Sequence, residues 1–393
     1  MHIAKKLAQV NPSATLAVSQ KTAQMKAAGA DVIDLSVGQP DFKTPDEITA
    51  AAIAAISDGS ASFYTPAAGL PALRKIIADH VAKKTGYTFA PNQIVVTNGA
   101  KFALYDLFTA ILNEGDGVMI PLPGWVSYIE QVRLAGGTPQ TVKSSNGFKV
   151  TVDDLDQAVT DKTRAIIINS PQNPSGAIYT QQELTLIGNW AVRHDILIIA
   201  DEIYSDLIYN GATYTSMLSL DGAIADNTVL ISGVSKSYAM TGWRIGFAAA
   251  PKKIAQALST IASHATGNPA AVSQYAAMAA YTSDQSSVET MRQAFEERLN
   301  TLYPLLKAIP GFEFESKPDG AFYLFPKVSA AVRALGYDST DTFVAALLEE
   351  TGVAVVAGRA FGMPDHIRLS YAKGLDDLTE AAKRISEFVT ANI

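Results

Sequence analysis

Five short runs with no polar face constrain this chain most: QIVVT at 93–97, GVMIP at 117–121, RAIII at 164–168, DILIIA at 195–200 and TVLIS at 228–232. A strand wetted on one side alternates apolar and polar residues. A strand covered on both sides reads as a continuous apolar run. Stretches with helical spacing separate several of the runs, for example 181–193. The alternation predicts an α/β fold with a mainly parallel sheet sandwiched by helices. In such sheets ligands sit beyond the carboxyl ends of the strands. Polar residues collect there: Asn98-Gly99, Asn169-Ser170, Asp201-Glu202 and Ser232-Gly233.

Flanking elements can be read too. Thr44-Pro45-Asp46-Glu47 reads as a helix start, with Thr44 as N-cap, Pro45 in first position and Glu47 closing a capping box. Asn98-Gly99-Ala100 is expected to open a helix with Phe102, Tyr105, Phe108 and Leu112 along one side. Beyond about residue 285 the texture changes. A long charged helix (286–308) leads to strand-like 312–316 and 320–325 around a turn at Lys317-Pro318-Asp319. A helix at 340–351, strands near 353–356 and 366–371, and a terminal helix follow. The expected division is an N-terminal arm with part of a small domain (1–44), a large domain (45–285) and a smaller α+β domain (286–393).

Composition removes several function classes. The formal charge of −7 disfavours a broad nucleic-acid surface, which needs a basic face. A few local cations would still hold an acidic substrate. The chain has no cysteine, so a disulfide framework and thiolate chemistry are excluded. The start, Met1 to Lys6, runs into a polar stretch and not an apolar signal core. No run approaches the roughly 18 apolar residues of a membrane span, so a cytoplasmic protein is expected. His2, His80, His194, His264 and His366 lack metal-ligand spacing and read as structural or solvated.

Chemistry concentrates in the segment SGVSKSYAMTGWRIG, residues 232–246, just after a predicted strand. Lys236 stands among small residues, and Arg244 follows eight residues later between Gly242 and Gly246. A lysine that forms a Schiff base needs small neighbours, so that a planar ring can approach the backbone. A nearby arginine pairs bidentately with a phosphate, and Ser235 adds a hydroxyl. Lys236 alone would be read as a surface lysine; the whole segment favours function. Asp201, in DEIY, ends an apolar run, where a carboxylate is costly unless paired. The plainer reading of that motif is a helix N-cap with Tyr204 packed beside it. Gly99-Ala100-Lys101 opens a helix whose free N–H groups suit a phosphate. Arg368, in HIRLSY, lies in an otherwise apolar strand and needs an anionic partner there.

On these residues the chain resembles the class I aminotransferases, pyridoxal 5′-phosphate (PLP) enzymes of fold type I. The likeness covers essentially the whole chain. It implies a seven-stranded-type sheet and Lys236 as the lysine that carries the cofactor and moves the proton. It sets Asp201 against the pyridine nitrogen and Tyr204 against the ring 3′-oxygen. Gly99, Ala100, Lys101, Ser235 and Arg244 would bind the cofactor, and Trp125 would stack on its ring. Asn173, in NPSG at 173–176, would touch the ring oxygen and the substrate carboxylate. Arg368 would grip the α-carboxylate and Gly38 close over it. Tyr64, in FYTP, would reach the phosphate of a neighbouring subunit, which implies a homodimer with shared sites.

Animal-type aspartate aminotransferases hold the distal carboxylate with an arginine of the partner subunit. The matching stretch, Ser263-His264-Ala265-Thr266, has none. The chain is instead similar to bacterial thermophile-type aspartate aminotransferases. The residues that match their distal-carboxylate site are Lys101, Ser13 and Thr15. The implied reaction moves the amino group of L-aspartate to 2-oxoglutarate with ping-pong kinetics. Other donors (aromatic amino acids, alanine), prephenate as acceptor, and a PLP-dependent carbon–sulfur lyase are the alternatives. Asn11 stands where several prephenate-active members carry lysine. A transcription regulator's sensor module would need a DNA-binding domain, and the matched landmarks, beginning near residue 12, leave no room for one.

Overall fold

All five apolar runs form strands of one seven-stranded sheet in the computed structural model, which describes residues 2–391. Met1, Asn392 and Ile393, at the ends of the expected domains, lie outside the described residues. The strands are β1 (Ile94–Thr97), β2 (Gly117–Leu122), β3 (Thr138–Lys143), β4 (Thr163–Asn169), β5 (Leu197–Asp201), β6 (Thr228–Gly233) and β7 (Gly246–Ala249). Their order is β1-β7-β6-β5-β4-β2-β3. Only β7 runs against its neighbours, pairing antiparallel with both β1 and β6. The remaining pairs are parallel.

Two of these strands escape the apolar-run signal. At the sheet edge, β3 buries only Val142 and contains Pro139; proline is tolerated at an edge. The other, β7, is Gly-Phe-Ala-Ala, weak in intrinsic strand preference yet fully buried. Its place is set by close backbone packing. A side chain at Gly246 would overlap the backbone of Gly99 and Ala100. One at Gly233 would lie 2.7 Å from Gly246 Cα and from Ile245 O. This glycine contact brings the segment after β6 against the helix start after β1.

The sequence reading needs three local corrections. The first helix of the large sheet region is Asp46–Ser57, and Thr44 does not cap it. Its hydroxyl donates to Ala239 O at 3.0 Å and accepts from Trp243 Nε1 at 2.9 Å, so it ties the chain to the segment after Lys236 instead. The helix Ala100–Ile111 buries Ala103, Leu104, Leu107 and Phe108. Phe102 and Tyr105 are only half-buried, so the apolar face is rotated from the one expected. The strands expected at 312–316 and 320–325 reduce to Tyr323–Leu324 and isolated bridges. Here the backbone bonds elsewhere: Asp319 and Gly320 N donate to Gly176 O, and Ala321 N to Leu207 O.

A second core gathers Phe295 and Leu299 of helix Ser286–Lys307, Phe343 of Thr340–Thr351 and Ile385 of Leu375–Thr390. The strand Ile367–Ser370 lies there, antiparallel between Val356–Ala357 and Tyr323–Leu324. The N-terminal segment leans on this part: Ile33–Asp34 pairs in parallel with Val353–Ala354. Val18 and Met25 pack against Val32, Leu348 and Ala354. Among the described residues no helix is long and apolar enough to cross a membrane.

Gly246→Ala should lower the unfolding free energy by about 1–3 kcal/mol, the usual cost of overpacking. Gly242→Ala, whose added carbon meets nothing within 4 Å, should be nearly neutral. Urea unfolding of both variants checks this, and equal midpoints would contradict it.

Candidate active site

Asn169 and Asp201, the last residues of β4 and β5, are direct neighbours in the sheet. Beyond them opens a cavity of about 310 Å³. Asn169 Nδ2 donates to Asp201 O at 2.9 Å, and Asn169 Oδ1 accepts from Asn173 N at 2.8 Å. A single strand-end asparagine thus fixes both the carboxylate strand and the turn that carries Asn173.

The Asp201 side chain is 4% exposed. Its Oδ2 accepts from Tyr128 Oη at 2.6 Å and its Oδ1 from Ile203 N at 3.3 Å. Burial pushes its pKa up to about 6, against the pull of Tyr128, Ile203 and the Lys236 charge. Tyr204 shares a 2.9 Å hydrogen bond with Tyr323 Oη, and burial holds its phenol well above the ordinary range.

Lys236 lies three residues past β6, half-buried, with Nζ donating to Gly38 O at 2.6 Å. A side chain at Gly38 would strike Tyr323 Oη. Burial, then Arg368, Arg244 and Lys101, lower the Lys236 pKa to about 7, with Asp201 opposing. A large share of the amine is therefore neutral near pH 7, as a nucleophile or base requires.

Arg368 is 2% exposed. Nη1 donates to Asn173 Oδ1 at 3.1 Å and Nη2 to Ser36 O at 2.6 Å. The guanidinium lies 4.6 Å from the Tyr323 ring centre and 4.9 Å from that of Phe361. Its Nε has no partner among the described residues. A buried cation held only by neutral groups is poorly compensated, which makes this an anion site.

Two residues past β1, Gly99 (φ +83°) caps helix Ala100–Ile111. Phe102 N makes the first bond, to Gly99 O, so the N–H groups of Ala100 and Lys101 are left for an anion. Arg244 sits beside them in a left-handed conformation (φ +57°). It donates to Thr241 O at 2.8 Å and Asn98 O at 3.3 Å. A side chain at Gly99 would occupy the place of this guanidinium. Buried Ser235 completes the cradle. Lys101 Nζ stands 4.9 Å from the Trp125 ring centre; desolvation and Arg244 hold its ammonium below the usual lysine range.

The charged lining thus comprises four cations, Lys101, Lys236, Arg244 and Arg368, and one carboxylate, Asp201. Such a cavity favours a multiply anionic occupant. The cradle, the amine and the buried carboxylate together fit a phosphorylated aromatic ring with a reactive carbonyl.

Most expected residues meet in this cavity: Thr15, Gly38, Ala100, Trp125 and Asn173 line it with the charged groups, Tyr204 and Ser235. Gly99 backs Arg244. Ser13 does not line it; its Oγ accepts from Leu16 N at 3.4 Å as a helix cap and bonds Thr15 Oγ1 at 2.9 Å. Tyr64 is fully exposed and away from the cavity. The sequence reading missed Tyr128, Tyr323 and the pairing role of Asn169. Tyr128 had a usable signal, one helical turn after Trp125. Tyr323 had none to separate it from core aromatics. Glu202 accepts from Ser216 Oγ and Met217 N, and buried His366 stacks on Phe325.

The family Aminotransferase class I and II matches residues 30–385. The chain is 52% identical over 393 residues to an aspartate aminotransferase from Geobacillus stearothermophilus, covering 100% of both chains. It is 50% identical over 389 residues to an asparagine–oxo-acid transaminase from Streptococcus mutans, covering 98% of this chain and 99% of that one. A solved aspartate aminotransferase from Thermus thermophilus with maleate is similar in fold, with a TM-score of 0.92 at 36% identity over 98% of this chain and 99% of that one. The chain therefore belongs to the class I and II aminotransferases.

Proposed function

We propose that this protein is a PLP-dependent aspartate transaminase. It passes the amino group of L-aspartate to 2-oxoglutarate, yielding oxaloacetate and L-glutamate, as a cytoplasmic homodimer. What supports this most is one cavity that sets the Lys236 amine and the buried Asp201 carboxylate among three further cations, Lys101, Arg244 and Arg368. Bound PLP supplies a carbonyl that takes up amines and a protonated ring that draws electrons from the substrate α-carbon.

The chain's own groups do the rest. The N–H groups of Ala100 and Lys101, with Ser235 and Arg244, would hold the phosphate. Asp201 would keep a proton on the ring nitrogen, Tyr204 would donate to the ring oxygen and Trp125 would cover the ring. Lys236 would take the α-proton as general base and, as general acid, deliver it to the former carbonyl carbon of the cofactor. Arg368, Asn173 and the backbone at Gly38 hold the α-carboxylate. Lys101 and Thr15 hold the distal carboxylate, with Ser13 orienting Thr15 through their shared bond. Tyr64, fully exposed, serves the phosphate of the partner subunit.

Maleate, named with the Thermus thermophilus relative, is a four-carbon dicarboxylate like aspartate. The Streptococcus mutans relative is named for asparagine, which offers a neutral amide at the distal end. The cation at Lys101 favours aspartate.

Two outcomes are expected. In a coupled assay with 2-oxoglutarate, Lys101→Ala should lower kcat/KM for aspartate by about tenfold or more (~1.4 kcal/mol per factor of ten) and leave alanine almost unaffected. Equal losses would remove Lys101 from the distal-carboxylate site. The second concerns pH. The Lys236 pKa falls from 10.5 to about 7 in the fold, so between those values the unfolded chain holds a proton that the folded one has released. Cofactor-free protein should therefore gain stability from this group as pH rises through that window, and pay a burial cost below it. Lys236→Met should be more stable than wild type near pH 7, with the gap narrowing as pH rises from about 7 toward 10.5. Urea unfolding checks this; a gap independent of pH would contradict it.

A further inference from the structure

The Tyr128–Asp201 bond has no role in the reading above, yet it is short and buried. Tyr128 Oη lies 2.6 Å from Asp201 Oδ2, and the two residues are 2% and 4% exposed. Tyr128 stands in helix Val126–Leu134, one turn past Trp125, and its N–H bonds Trp125 O at 3.0 Å. The two rings meet edge-on at 5.4 Å. The turn that carries the ring-covering tryptophan therefore also fixes the phenol.

That phenol can only act as a donor to the carboxylate. Burial and the adjacent Asp201 charge push it well above its ordinary range, so it keeps its proton. The other titratable groups facing Asp201 are Lys236, from the segment after β6, and Tyr204, from the turn after β5. Tyr204 Oη is engaged with Tyr323. Among the described residues, Tyr128 is the side-chain hydrogen-bond donor to Asp201.

A carboxylate that keeps a proton on a neighbouring ring nitrogen must itself stay ionised. Burial opposes this, and a donor hydrogen bond of charge-assisted length favours it. We propose that Tyr128 is a positioning residue for transamination: its hydroxyl holds Asp201 ionised and oriented toward the ring nitrogen of the cofactor. This rests on the PLP reading given above.

Tyr128→Phe removes the hydroxyl and keeps the ring. In coenzyme-free protein the Asp201 carboxyl, followed by carbon-13 NMR of labelled aspartate and assigned with Asp201→Asn, should titrate about one pH unit higher in the variant. With PLP bound, kcat should fall about tenfold, while KM for aspartate, set at Arg368, stays nearly unchanged. In an Asp201→Asn background, Tyr128→Phe should no longer alter PLP affinity, because the charge it supports is gone. A merely structural tyrosine would weaken affinity in both backgrounds, and that result overturns the proposal. An unmoved titration overturns it too, as does a moved titration with unchanged kcat. Should Tyr128→Phe not fold, fluorotyrosine at position 128, a stronger donor, must move the titration downward; no movement overturns the proposal. A wild type that binds no PLP overturns the cofactor reading and this role with it. The titration of coenzyme-free protein does not depend on PLP and separates the two failures.

Discussion

The desolvated Lys236 amine, crowded by Lys101, Arg244 and Arg368 and facing Asp201, is the constraint on which the rest of the site depends. Concentrating like charge in a half-buried cavity destabilises the empty fold, and anions entering the cavity relieve that cost. Arg368 shows the pattern most clearly: it is buried, its partners are neutral oxygens and its Nε has no partner among the described residues. The same crowding lowers the amine pKa toward neutrality, so one electrostatic arrangement both recruits an anionic occupant and readies a base.

The fold puts these charges together with few devices. Parallel strands β4 and β5 end level, which sets Asn169 beside Asp201. The antiparallel strand β7, inserted between β1 and β6, brings Gly246 onto Gly99-Ala100 and Gly233. That contact joins the lysine segment to the phosphate-type helix start. Arg368 arrives from a separate small sheet, through a strand paired on both sides. The helix Val126–Leu134 ties three parts of the cavity together. It follows Trp125, gives Tyr128 to Asp201, and sends Gln131 Nε2 to Lys101 O at 2.6 Å.

Much of this was legible in the sequence, for physical reasons. Strands covered on both faces must be apolar throughout, so five of seven sheet strands stood out, and helix Gln181–Arg193 fell where its periodicity put it. Strand-end polar residues marked the cavity, because buried polar groups need a purpose or a partner. What stayed hidden depends on tertiary contact. The strand β7 is held by glycine packing, not by strand preference. Thr44 chose a partner far along the chain over the helix beside it. Tyr128 acts across 73 residues of sequence, with only its place one turn after Trp125 to mark it, and nothing local distinguishes Tyr323 from a core aromatic. Ser13, grouped with Thr15 by resemblance, caps a helix while Thr15 alone reaches the cavity. Tyr64, read by resemblance, stands fully exposed and outside the cavity.

One covalent attachment underlies the whole account. Purified protein should be incubated with PLP, reduced with borohydride, digested and mapped by mass spectrometry. Attachment at Lys236 should give a visible absorbance band that reduction bleaches, and a phosphopyridoxyl mass on the peptide containing Lys236. A colourless protein, or a label confined to other lysines, would contradict it.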